Sequence, residues 1–280
     1  MSSVKKVAVV TGSNKGIGFA IVKGLCEKFN GDVYLTSRDV KRGQEAVSKL
    51  NALGHKPLFH QLDISDETSV NNFKEHIKQT HGGLDILINN AGVYASNDLP
   101  EGEKAEKDVA VNYFGTVRVC EALFPLLRQN AKVINVSSSA GLLQKIPSEA
   151  IRAKFKDAKT VEQLNELMRE YIKDARDNTY QSKGWGVPPK VSYIVSKVGV
   201  NALTVIQQKL LDQEQPNRNI SVNSAHPGFV DTDMTDHKGV LTVDQGAKSS
   251  LFLALEAQVK GKFVWYDCTI MDYDGPIPTA

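Results

Sequence analysis

Lys6-Val-Ala-Val-Val-Thr11-Gly-Ser-Asn-Lys-Gly-Ile-Gly18 joins a continuous apolar run to a glycine-rich turn, and that junction decides the fold. A run without polar alternation suits a strand covered on both faces. The glycines then open a helical pattern through Ile17, Ala20, Ile21, Gly24 and Leu25. Gly12 permits a tight turn, Gly16 lets the backbone approach a pyrophosphate, and Gly18 lets helix and strand pack closely. The start of the helix offers unpaired N–H groups and a positive dipole end to phosphate, so Asn14, Lys15 and Ile17 join the glycines as candidate contacts. The spacing is Gly-x-x-x-Gly-x-Gly. No Gly-Lys-Ser/Thr follows, which argues against a P-loop nucleotide hydrolase.

Outward from this junction, short β-branched runs alternate with helical patterns. Strands are predicted at Asp32–Ser37, Pro57–Leu62, Leu84–Asn89, Lys132–Val136, Asn219–Asn223 and Lys262–Trp265. Helices are predicted over about Val40–Leu53, from near Asp66, and over Val109–Leu127, Val191–Leu211 and Val243–Glu256. Repeated βα units imply the α/β class: a single-domain, Rossmann-type, doubly wound parallel sheet of about seven strands with right-handed crossovers. The rhythm breaks between Val136 and Val191. There a capping box at Thr160-Val-Glu-Gln163 leads into Leu164, Leu167, Met168, Tyr171, Ile172 and Ala175 at helical spacing. Such a stripe favours a helix packed on the sheet's flank over a lid. The expected organisation is one domain over 1–280, with a helical insertion before the Tyr-x-x-x-Lys helix (142–190) and a tail at 266–280.

The chain has 280 residues, 41% hydrophobic and 24% charged, with a net charge of +2. These values suit a soluble globular protein with no bulk attraction to nucleic acid or membrane. No apolar run approaches the ~18 residues of a membrane span. Met1-Ser-Ser-Val-Lys-Lys6 lacks a signal-peptide layout, and a cytoplasmic location is expected. Cys26, Cys120 and Cys268 are too scattered for a disulfide framework or a metal site.

The chemistry is concentrated in Val191-Ser-Tyr-Ile-Val-Ser-Lys197. Tyr193 and Lys197 rise from the same face of a helix. An ammonium beside the phenol should draw its pKa down from roughly 10, making Tyr193 a proton donor and acceptor near neutrality. At the end of the second predicted strand, Arg38 takes the place where an acidic residue would bind an adenosine 2′-hydroxyl. With Lys15 in the glycine loop, two cations and a hydroxyl are expected to converge on a 2′-phosphate, which selects NADP(H) over NAD. Asp63, at the tip of the third strand, is placed to bond the adenine or to cap a turn. Asn90, after the fourth, can support the adenine-side ribose or simply form a turn.

Thr11–Gly18, Asn89-Asn-Ala-Gly92, Asn112, Ser138, Tyr193/Lys197 and Pro227-Gly228, in this order, resemble the short-chain dehydrogenase/reductase family over about residues 5–265. Ser138 and Tyr193 are 193 − 138 = 55 positions apart, a longer gap than most of the family has. That insertion is similar to the monomeric carbonyl reductases, as are Lys15-Gly-Ile-Gly18, Gly31-Asp-Val33, Arg38-Asp-Val40, Phe59-His-Gln-Leu-Asp-Ile64 and Gly82-Gly-Leu-Asp85. The resemblance implies a monomer that uses NADPH to reduce ketones, aldehydes or quinones, small molecules rather than nucleic acid or membrane. It implies that Tyr193 protonates the developing alkoxide while Lys197 holds the nicotinamide ribose. The family pattern Asn-x-Ser-Ser-x-x-Gly falls on Asn135–Gly141 and selects Ser138, between Ser137 and Ser139, to orient the carbonyl. Asn112 is implied to hold a water in a proton relay to Lys197.

Further cofactor contacts are implied at Leu62, Ile64, Ala91, Gly92, Val111, Pro227, Gly228, Val230 and Thr232, with Phe229 as an aromatic wall for substrate. The chain departs from these relatives at Phe229, where a tryptophan is usual, at Asp231, where a basic residue is, and at His226, where a cysteine is frequent. Two other readings stand beside this one: an alcohol or hydroxysteroid-type dehydrogenase running toward oxidation, and an NADP-binding regulatory protein without turnover.

Overall fold

The computed structural model describes residues 5–276. The N-terminal stretch 1–4 and the tail beyond Pro276, including Pro278, lie outside the described residues. Eight strands form one sheet: β1 (Lys6–Val10), β2 (Gly31–Ser37), β3 (Leu58–Gln61), β4 (Leu84–Asn89), β5 (Leu127–Val136), β6 (Ser221–Ala225), β7 (Phe263–Val264) and β8 (Ile270–Met271). Their order is β3-β2-β1-β4-β5-β6-β7-β8. Every neighbouring pair is parallel except β7 and β8. The chain builds β1, β2 and β3 in one direction and returns to place β4 on the other side of β1. The strand order therefore reverses between β1 and β4, and a crevice opens at their carboxyl ends.

Residues of β1 alternate between two cores. Ala8 and Val10 pack with α1 (Gly16–Lys28), α2 (Val40–Ala52) and a later helix at Val243–Leu255, whereas Val7 and Val9 pack with α3 (Glu67–His81) on the opposite face. That is why the run reads as continuously apolar. Asp39 and Asp66 cap α2 and α3 by accepting from Arg42 N and Thr68 N, and Gly82, at φ +70°, ends α3 in the left-handed conformation.

The helix predicted over Val109–Leu127 starts earlier. It runs through α4 (Glu101–Asp108), a π-helical stretch Val109–Gly115, α5 (Thr116–Leu123) and a final 3₁₀ turn, and Leu127 already belongs to β5. In α4, Glu-Gly-Glu-Lys-Ala-Glu-Lys-Asp contains only Ala105 as an apolar residue, so no hydrophobic period announces it.

The insertion is packed. It forms α6 (Glu149–Asp157) and α7 (Val161–Arg176), the latter opened by the capping box of Thr160 and Gln163. Leu164, Leu167, Met168, Tyr171 and Ala175 are buried against α4, the π-helical stretch and α8 (Val191–Asp212). A β-carbon on Gly199 would lie 2.9 Å from the Met168 sulfur, so any larger residue there would force the Met168 side chain to shift. The chain ends through α9 (Val243–Leu255), β7 and β8. The sheet thus has eight strands rather than about seven, because β8 forms within the tail. That tail closes over the start of the insertion: Leu143 N donates to Tyr273 O (2.9 Å), and Gln144 Nε2 to Gly275 O (2.9 Å). No helix among the described residues is long and apolar enough to cross a membrane.

Trp185, fully buried, donates its indole N–H to Asp174 Oδ2 at 2.9 Å, and Lys183 Nζ contacts Asp174 Oδ1 at 2.5 Å. Replacing Asp174 with alanine leaves the buried Trp185 indole N–H without its acceptor and removes the partner of the half-exposed Lys183 ammonium. Asp174→Ala is expected to lower the unfolding free energy by about 2–4 kcal/mol, and urea denaturation of the variant beside the native protein reads the loss.

Candidate active site

The crevice is built from close backbone contacts. Gly12 (φ +59°) and Gly16 (φ +57°) are left-handed, and a β-carbon on Gly12 would fall 2.8 Å from the Ala91 Cα. A β-carbon on Gly18 would lie 2.4 Å from Asn90 Nδ2, so the start of α1 sits directly on the end of β4. No side chain caps the first turn of α1, unlike α2 and α3, which leaves its N–H groups facing the crevice. A cradle of glycines under an open helix N-terminus fits a pyrophosphate. Asn14 and Ile17 belong to this turn, and Thr232 Cγ2 comes within 3.5 Å of a Gly16 β-carbon from across the cleft.

The polar residues around it are already engaged. Asn90 donates its amide protons to Thr11 O (2.9 Å) and Gly12 O (3.1 Å), bracing the glycine loop rather than pointing them at a ribose. Asp63 Oδ1 accepts from Ser65 N (2.9 Å), the turn-capping role, while Leu62 and Ile64 bury their side chains in the core. Lys15 pairs with Asp233 in the loop after β6 instead of converging with Arg38. That loop also carries Asp231 and His237, whose rings of contact run His237 Nδ1 to Asp231 (2.7 Å) and His237 Nε2 to Asp233 (3.2 Å). Arg38 is exposed and enters no ion pair among the described residues. The neighbouring Asp39 turns its carboxylate to the cap of α2, accepting from Arg42 N, rather than to Arg38.

Tyr193, Lys197 and Ser138 meet at the end of β5. Lys197 is 5% exposed, donates to Val136 O at 3.0 Å, and stands 5.8 Å from the centre of the Tyr193 ring. The Ser138 side chain faces the Tyr193 phenol and draws that phenol's pKa downward. Ser138 also accepts from Ala140 N (3.1 Å), whereas Ser137 is buried and donates to Lys197 O (3.3 Å). Of the three adjacent serines, Ser138 is the one that lowers the phenol's pKa.

The electrostatics differ from the sequence expectation. The Tyr193 side chain is partly exposed, yet desolvation by the surrounding protein pushes the phenol up to about 12, with Ser138 opposing that rise. Burial pushes the Lys197 ammonium down to about 8. The lysine, not the tyrosine, therefore titrates near neutrality, because losing water costs each charged form more than their separation returns.

Asn112 lies in the π-helical stretch, 1% exposed. Its Oδ1 accepts from Val93 N (2.8 Å), and its Nδ2 donates to Val93 O (3.0 Å) and Ser196 Oγ (3.0 Å). Both amide protons are thus spent on protein rather than on a relay water. Gly92 separates Asn112 from Lys197: a β-carbon there would fall 3.1 Å from Asn112 Oδ1 and 3.6 Å from Lys197 Nζ. Val111, partly buried, packs against the core beside them.

Past β6, Pro227 is buried and Gly228 is left-handed at φ +88°. Val230 is buried against Gly246, and its carbonyl accepts from Thr235 Oγ1 (2.7 Å). Phe229 is 51% exposed. The ring that stands against Tyr193 is Tyr94, edge-on at 5.3 Å between centroids.

His226 is the site residue that sequence reasoning noted only as a departure. Its Nδ1 accepts from Ser139 N (3.1 Å) and Gly228 N (3.3 Å), so one nitrogen pins the serine turn to the loop after β6. Its ring packs on Trp265 at 4.4 Å. A nitrogen that accepts cannot carry a proton, and burial pushes the imidazole down to about 4.

Residues 6–151 match the family model described as short chain dehydrogenase. The chain is 42% identical over 260 residues to carbonyl reductase 3 (NADPH) of Mus musculus, covering 91% of this chain and 92% of that protein. It is 41% identical over 259 residues to carbonyl reductase 1 (NADPH) of Homo sapiens, with the same coverage. The solved structure of salutaridine reductase from Papaver somniferum superposes with a TM-score of 0.84 at 33% identity, over 94% of this chain and all of that one.

The depressed imidazole has a consequence for stability. His226 binds a proton when unfolded and not when folded, so its contribution is intact above about pH 6.5 and is lost as pH falls toward 4. The loss is on the order of 3 kcal/mol. In urea unfolding at neutral and at acid pH, His226→Asn, which keeps an acceptor but no titrating ring, is expected to lose less stability on acidification than the native chain. Equal losses would contradict the assignment.

Proposed function

Since the chain belongs to the short-chain dehydrogenase family, we propose that it is an NADPH-dependent carbonyl reductase, acting on ketones, aldehydes or quinones as a cytoplasmic monomer of one domain. The observation that carries this reading is the continuity of cradle and proton site. Gly12 touches Ala91, Gly92 borders Lys197, and Lys197 lies beside Tyr193 and Ser138. A dinucleotide laid across Gly12, Gly16 and Gly18 would end next to the phenol.

NADPH, when bound, supplies the hydride that reduces the carbonyl carbon. Tyr193 gives its phenolic proton to the carbonyl oxygen as negative charge develops there. A phenol held at about 12 is fully protonated at neutral pH and so stands ready as the acid. Ser138 donates to the same oxygen and fixes its direction. Lys197 supplies positive charge beneath the ring, which favours the phenolate left behind. Tyr94 closes one side of the place where the carbonyl must lie, and the exposed Phe229 is available to an apolar substrate at the rim.

Selectivity for the 2′-phosphate is assigned first to Arg38, which has no acidic partner. Lys15 joins it only by leaving Asp233. That pair is exposed on both sides, and exposed ion pairs are weak, so a phosphate dianion can compete for the ammonium.

Two outcomes test these roles. Loss of NADPH absorbance with a panel of quinones and aldehydes is expected in the native protein. In Tyr193→Phe, kcat should fall by about 10²–10⁴ while NADPH binding, followed by cofactor fluorescence, is largely retained. Turnover at the native rate would remove Tyr193 as the acid. Arg38→Asp should raise the KM for NADPH far more than that for NADH, and equal changes would refute the phosphate contact.

A further inference from the structure

Asp108 closes α4 and is 1% exposed, yet it makes no ion-pair contact among the described residues. Its Oδ1 accepts from Ala95 N at 2.8 Å. One helical turn later, Asn112 holds Val93 through both its N–H and its carbonyl. The two side chains peg the loop on either side of Tyr94, whose ring meets Tyr193 edge-on. Asp108 therefore sits behind the wall of the proposed substrate site, one loop away from the acid.

Its charge has few neighbours. Lys197 and Tyr193 face it from α8, Glu101 and Lys104 from its own helix, and Tyr171 from α7. Glu101 is matched by Lys104 at 2.6 Å and accepts from Tyr171, Ser192 N and Ser192 Oγ besides. Lys197 touches no carboxylate, its hydrogen bond going to the Val136 carbonyl. The negative charge left to act on Lys197 is that of Asp108.

We propose that Asp108 is a positioning residue for the carbonyl reduction assigned above, a reading on which this inference rests: its carboxylate pegs Tyr94 against Tyr193 and supplies the negative charge that keeps Lys197 an ammonium. Burial raises Asp108 to about 6, so it is still ionised at neutral pH, and in that form it opposes the downward push of burial on Lys197. Without this charge, Lys197 loses its proton at lower pH. The alkaline limb of the reduction then moves toward acid.

Asp108→Asn tests the electrostatic role, because asparagine retains an oxygen for Ala95 N and removes only the charge. With NADPH and menadione, across roughly pH 6 to 10, the alkaline limb of kcat should shift toward acid by about one pH unit, with the KM for NADPH changed less than kcat. A second reading needs no turnover: the rate at which acetic anhydride labels Lys197, followed by peptide mass, should rise at lower pH in the variant than in the native chain. If the native chain reduces no carbonyl compound, the functional assignment fails while the labelling still decides the role of Asp108. Should Asp108→Asn not fold, Asp108→Ser, a shorter uncharged acceptor, takes its place in both measurements. Alkaline limbs and labelling profiles that superimpose on those of the native chain would overturn the proposal.

Discussion

An ammonium buried without a carboxylate in contact constrains everything around it. Lys197 is 5% exposed and gives its hydrogen bond to the Val136 carbonyl, which is available because β5 ends there. Stripping water from a charge is costly unless dipoles or countercharges replace it. The fold meets that demand by bringing the ends of β4 and β5 to the same face of α8. Gly92 contributes by omission: any side chain there would press on Asn112 and approach Lys197. The parallel order β1-β4-β5 and the position of α8 are thus tied to one charged atom.

Around this centre, loops at strand ends are each held by a side chain from another element. Asn90 braces the glycine loop, Asn112 holds Val93, Asp108 holds Ala95, and His226 joins the serine turn to the loop after β6. In every case a polar side chain satisfies backbone groups that a turn leaves unpaired. The result is a frame in which each of these loops is tied to a second element around Ser138, Tyr193 and the glycine cradle. Such preorganisation is what catalysis by positioning requires.

Which parts of this were legible in the sequence follows from the range of the interactions. Gly12 and Gly18 were readable because the need for glycine arises within one strand-turn-helix unit. The capping box at Thr160 and the face shared by Tyr193 and Lys197 are equally local. Tyr94 against Tyr193, and Lys15 against Asp233, 218 positions apart, depend on where the sheet brings distant loops. Asn112 and Asn90 were identified as positions, but their hydrogen bonds turned inward, a choice set by neighbouring backbone that no motif encodes. α4 escaped notice for another reason: its buried face is largely polar, with Lys104 and Asp108 inside, so hydrophobic periodicity had nothing to follow. The raised Tyr193 phenol belongs to the same class, since burial is a property of the whole fold and overrode the helix-spacing argument.

That reversal bears on the direction of the chemistry. A phenol at about 12 donates a proton from its resting form, whereas accepting one at neutral pH requires the phenolate first, at a cost on the order of 7 kcal/mol. The surroundings therefore favour protonation of a developing alkoxide over its reverse, unless positive charge beside the ring offsets the difference. Lys197 can provide that charge only while it remains protonated, and with its pKa near 8 it does so over a limited range. How readily that proton moves at a given pH is then governed less by the tyrosine than by whatever sets the charge of the lysine beneath it.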